Sequence, residues 1–154
     1  MSVRKTDLSI IDEFGEDMKE LVQTLAFEIA SDLALQMPVD SGAARSNVVI
    51  SNVVKFKSLP PFFDYGKNSG EDRSETLNLR FVLNALKTEA SHITAFQDVY
   101  IMDNVKSEKG FAYAGLLDAG YSPQTPAGMT DRAIYFGIKQ TELKMSNKFD
   151  MAIL

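Results

Sequence analysis

From Leu8 to Met37 the apolar residues Ile11, Phe14, Met18, Leu21, Val22, Leu25, Ile29 and Leu33 recur at steps of three and four. That spacing predicts an amphipathic helix. Glu13, Glu16, Asp17, Lys19, Glu20, Glu28 and Asp32 fall on its opposite face. At 1.5 Å per residue such a helix is about 40 Å long, longer than a domain of this size is thick, so part of it is expected to project. Pro38 is expected to close it, because proline lacks an amide proton and pushes the residue before it out of helical geometry. The period then changes. VDSG at 39–42 reads as a turn, with Asp40 and Ser41 able to bond nearby amides and Gly42 able to take a positive φ. NVVISNVVKF at 47–56 is rich in β-branched residues and predicts a strand.

Residues 57–73, with two prolines, two glycines and mixed charge, predict a long loop. Helical spacing returns over 74–96 through Leu77, Phe81, Val82, Ala85, Leu86 and Ile93, with Ser74 as the expected N-cap. DVYIMDNV at 98–105 alternates Val99, Ile101 and Asp103 against Tyr100, Met102 and Asn104, which suits a strand with one covered face. FAYAGLLDAG at 111–120 fits strand or helix, and a short helix or turn is the preferred reading. A last helix is expected from Met129 or Thr130 to about Phe149. The elements make one α+β domain over 1–154: a small, mostly antiparallel sheet with the long N-terminal helix packed across it and further helices around it.

Composition narrows the chemistry. A chain of 154 residues has room for a real core, and the lack of cysteine removes disulfides, thiolate chemistry and cysteine-based zinc sites. No apolar run suits a signal peptide or a membrane span, so a soluble product of a reducing compartment is expected. A net charge of −5 makes a phosphate-gripping surface an unsuitable use of most of this molecule. His92 is the only histidine, and no nucleophile elbow, HExxH, EF-hand loop, P-loop or GxGxxG accompanies it. No catalytic, cofactor or metal site is therefore expected. Two other classes stay open: an enzyme organised around His92, and an acidic regulator mimicking nucleic acid, which 21 acidic against 16 basic residues support weakly. Phe62, Phe63 and Tyr65 in the long loop, without interleaved arginines, read as packing on the core or on a partner rather than as a base-stacking platform.

Two motifs, taken in order with the long helix, resemble one family. PVDSG at 38–42 with Arg45 follows the helix. Tyr113, Asp118, Gly120, Ser122, Gln124, Pro126, Gly128 and Met129 precede the last one. This arrangement resembles the tail-completion, or minor tail, proteins of long-tailed bacteriophages, which act at the neck between head and tail. There are departures: Ser41 stands for the usual threonine, Ala43 and Ala44 for larger residues, Asp118 for glutamate, and the 57–73 insertion is long. The resemblance implies a non-catalytic virion protein, made in the host cytoplasm, that forms a ring of six copies. Its implied partners are its own copies and the neighbouring neck, tail-terminator or head-completion proteins, with DNA passing through without specific binding and no membrane involved. Tail-terminator and head-closure roles are the alternatives within the same neck.

On this reading Asp40, Ser41, Gly42 and Arg45 form a structural turn, and DAGYSPQTPAGM at 118–129 is a pre-shaped contact loop. Pro123 and Pro126 stiffen it, Gly120 and Gly128 turn it, and Tyr121 and Met129 supply apolar surface. A rigid connector packed on its own core is the alternative. Glu13, Glu16, Asp17 and Glu20 either approach the DNA channel or face outward to solvent.

Overall fold

The computed structural model describes residues 5–37, 43–54, 72–106, 114–123 and 126–153. Its elements are α1 (Lys5–Gln36), α2 (Ala43–Ser46), β1 (Val48–Ser51), α3 (Asp72–Ser91), β2 (Tyr100–Asp103), α4 (Ala114–Asp118) and α5 (Met129–Ile153). The fold is α+β and mostly helical, with a small antiparallel sheet and a long N-terminal helix. The turn residues Asp40, Ser41 and Gly42, all but the last two residues of the 57–73 loop, and the contact residues Tyr113 and Gln124 lie outside the described residues.

Helix α1 stops two residues short of Pro38 in the sequence. Arg45 closes its end: the side chain is 3% exposed, and its Nε donates to the Ala34 carbonyl at 2.9 Å. Ala34 offers one of the last four carbonyls, which no intrahelical amide can reach, and a cation there also meets the negative end of the helix dipole. Arg45 itself stands in the single turn α2 rather than in an open turn.

β1 is shorter than the predicted strand. The Ser51 hydroxyl accepts the Val53 amide at 3.2 Å, which turns the chain away and leaves Val53 and Val54 exposed. β1 pairs antiparallel with β2 in the register Val48↔Asp103, Ile50↔Ile101 and Ser51↔Tyr100. β1 is buried along its whole length. On its outer edge, away from β2, the Ile50 amide donates to Glu89 Oε2 of α3 at 2.7 Å.

α3 begins at Asp72, so Ser74 lies inside the helix and is not its N-cap. Its buried stripe is Asn78, Val82, Leu86 and Ala90, each four residues on, while Phe81 points outward. The polar Asn78 is tolerated there because its Nδ2 donates to Ser46 Oγ at 3.2 Å. His92 is not deep in a helix: it lies one residue beyond the end of α3, exposed. The core joins Ala26, Ala30 and Leu33 of α1 with Val48 and Ile50 of β1, Val82 and Leu86 of α3, and Met129 and Ala133 of α5.

The most extensive helix contact pairs α1 with α5. Met129, Ala133, Gly137, Thr141 and Met145, every fourth residue of α5, are buried. A Cβ on Gly137 would lie 2.8 Å from the Ile29 backbone nitrogen, so only glycine lets the backbones approach this far. Bonds from Arg132 to Gln36, Lys144 to Glu28 and Lys148 to Glu20 run in opposite chain directions, so the helices are antiparallel.

Candidate functional site

Residues 118–123 and 126–132 meet in a locked corner between α4 and α5. α4 ends in a Schellman arrangement: the Tyr121 amide donates to the Leu116 carbonyl at 3.1 Å and the Gly120 amide to Leu117 at 3.0 Å. This requires Gly120 in the left-handed region, and its φ is +84°. A Cβ there would also stand 3.0 Å from the Ala127 Cβ and amide nitrogen, so the two limbs of the corner touch.

Asp118 ties the corner to the start of α5 through both of its oxygen-bearing groups. Its carbonyl accepts the Gly128 amide at 2.8 Å, and its Oδ1 accepts the Thr130 amide at 2.8 Å. The carboxylate caps α5 from eleven residues before its first residue, satisfying an orphan amide at the positive end of the helix dipole. Gly128, with φ +77°, turns the chain into the helix.

Arg132 completes the lock. Its Nη1 and Nη2 donate to the Ala127 and Pro126 carbonyls, the latter at 2.9 Å, and its Nε donates to Gln36 Oε1 at 2.9 Å. One planar guanidinium thus fixes the loop to the end of α1. The sequence reading missed Arg132. Its signal was a cation near the first turn of a helix, against the dipole, which marks a side chain occupied elsewhere.

The corner presents Tyr121, 78% exposed, with Pro123 and Pro126 also exposed. Ser122 is half-buried. Met129 departs from expectation: at 2% exposed it is a core residue and offers no contact surface, because as the first residue of α5 it continues the buried stripe of Ala133 and Gly137. Within 118–129, Met129 is anchored in the core while Tyr121, Pro123 and Pro126 are exposed.

The acidic face of α1 is divided by α5. Lys148 pairs with Asp17 at 3.4 Å and with Glu20, and the Glu20 hydrogen bond holds the ammonium above its usual pKa. Glu13 and Glu16 stay exposed, with Lys19 3.6 Å from Glu16. Lys148 is therefore a second cation at this face beside Lys19. A helix drawn alone could not reveal a partner 128 residues away in the chain.

One carboxylate stands apart. Asp103 shares the core-facing side of the sheet with Ile101 and its cross-strand neighbour Val48. Oδ1 accepts the Val105 amide at 3.0 Å, and Oδ2 has no hydrogen-bond partner. Burial pushes its pKa up to about 7, against the lowering effect of the Val105 amide. Among the described residues no group of three His, Asp or Glu side chains could hold a metal ion, and no helix is long and apolar enough to cross a membrane. No protein-family model, curated protein or solved structure matches the chain.

Proposed function

We propose that this chain is a structural protein of the bacteriophage neck, a ring subunit that completes the tail and helps join it to the head around the DNA channel. The locked 118–132 corner carries the reading. Asp118, Gly120 and Arg132 hold its described limbs together before any partner arrives, so docking of the residues on them costs little further entropy. Tyr121 on it is an exposed aromatic of the kind that anchors interfaces. The order of the motifs along the chain and the net charge of −5 support the same reading, since a conduit wall must not grip the duplex.

Complementation with Tyr121→Ser tests it. The side chain is exposed, so melting should stay within about 0.5 kcal/mol of wild type, while heads and tails accumulate unjoined. A variant that melts normally and yields infectious particles removes the contact role. A particle reconstruction with no copy of this chain at the neck removes the whole reading.

A further inference from the structure

Away from that corner, α5 leaves one side uncovered. Its buried stripe is turned to α1, whereas Asp131, Ile134, Tyr135, Ile138 and Glu142, at steps of three and four, share another face. All five are exposed, Tyr135 by 59%. Three large apolar side chains thus lie side by side in water with a carboxylate at each end of their row. Asp131 has no ion-pair partner among the described residues, and Glu142 holds only Lys139 of its own helix. α3 presents the opposite sign. Across from its buried stripe stand Arg80, Asn84 and Lys87, with Phe81, 47% exposed, beside them. Neither Arg80 nor Lys87 has a hydrogen-bond or ion-pair partner among the described residues, and Glu89 of the same helix is turned inward to the Ile50 amide. Two unpaired cations therefore flank an exposed aromatic on a chain whose net charge is −5.

We infer that the outer face of α5 docks on the outer face of α3 of a second copy of this chain. Each face supplies what the other lacks: carboxylates around an apolar row on α5, cations around an aromatic on α3. Within one chain the two cannot meet, because both helices turn their buried stripes inward to α1 and the core. A contact between two different faces is head-to-tail and leaves one of each kind free, so it can continue to a third copy and close into a ring. Burial of Ile134, Ile138 and Phe81 supplies adhesion, and Arg80 is suited to lie over the Tyr135 ring. The opposite charges set orientation and register. This deepens the ring part of the neck reading and rests on it only for closure into a ring; the pairwise contact is tested on the isolated chain, so either can fail without the other.

The test is disulfide trapping, for which a chain without cysteine gives no background. Full-length Asn84→Cys and Ile138→Cys chains are mixed in equal amounts and oxidised, and a bond forms only where the Cα atoms come within about 7 Å. Random collision gives the mixed dimer twice as often as either homodimer; docking should raise that ratio to roughly tenfold or more. Adding Arg80→Glu and Lys87→Glu to the Asn84→Cys chain should return it to the random value, since like charges then face each other. Adding Asp131→Lys and Glu142→Lys to the other chain as well should restore the excess. That restoration shows that the reversed chains are folded, and raising the salt on the unreversed pair, which should also lower the ratio, covers the case in which they are not. A random ratio in the first mixture, an excess of either homodimer, or a ratio that ignores both charge reversal and salt would overturn the inference.

Discussion

At Asp103 and Gly137 the surroundings decide what a substitution does. Asp103 is an ordinary carboxylate in the unfolded chain and is held near pH 7 by burial in the folded one. Between about pH 4 and pH 7 the folded state therefore holds a proton that the unfolded state has released, and stability falls as pH rises through that window. The effect amounts to as much as about 4 kcal/mol across it. Asp103→Asn should abolish this slope, so wild type and variant converge near pH 4 and the variant is the more stable at pH 8, as melting curves across the range will record. Gly137 sets up a contrast with Gly15, which has open space around its Cβ position. Gly15→Ala should stabilise the protein by about 0.5–1 kcal/mol through helix propensity alone. Gly137→Ala should destabilise it by about 1–3 kcal/mol, because the added methyl meets Ile29 backbone and separates the two helices. Denaturant midpoints of the two variants should move in opposite directions.

At the scale of elements, the corner is where sequence-distant parts meet. Asp118 caps a helix that begins eleven residues later, and Arg132 ties that helix and its loop to the last turn of α1. Asp118→Ala should cost about 1 kcal/mol, with faster amide exchange at Thr130 while the amides of α3 keep their protection. Arg132→Lys keeps the charge and loses the fork. It should leave melting within about 1 kcal/mol of wild type, yet raise protease cleavage between Tyr121 and Gly128. Unchanged cleavage would mean that Gly120, Asp118 and the prolines hold the corner without it.

For the whole molecule, the α1–α5 pair decides which acidic residues are available to any surroundings. Glu13 and Glu16 are exposed, whereas Asp17 and Glu20 are engaged by Lys148. Glu13→Lys with Glu16→Lys should thus leave melting nearly unchanged. Glu20→Lys removes one exposed ion pair, worth at most about 1 kcal/mol, and adds a like-charge contact. On the neck reading, the wild-type chain shows no measurable duplex binding at physiological salt and the double variant slows DNA ejection. A salt-sensitive micromolar complex of the wild-type protein with DNA would instead promote a nucleic-acid-binding role.

The sequence by itself determined most of the elements, though not the single turn α2 or the early end of β1. The three- and four-residue apolar spacing of α1, the β-branched run of β1 and the alternation in β2 were legible because each records a local period that burial imposes. The same holds for Gly120 and Gly128, whose positive φ follows from turn chemistry. What only the tertiary structure decided are the relations between periods. Met129 belongs to the core and Phe81 does not, because burial depends on which neighbour arrives and not on hydrophobicity. Asn78 is buried because Ser46 lies opposite it. The roles of Arg132 and Lys148 emerge only when α5 folds back along α1, since their partners lie roughly a hundred residues away in the chain and no local pattern encodes contacts of that range.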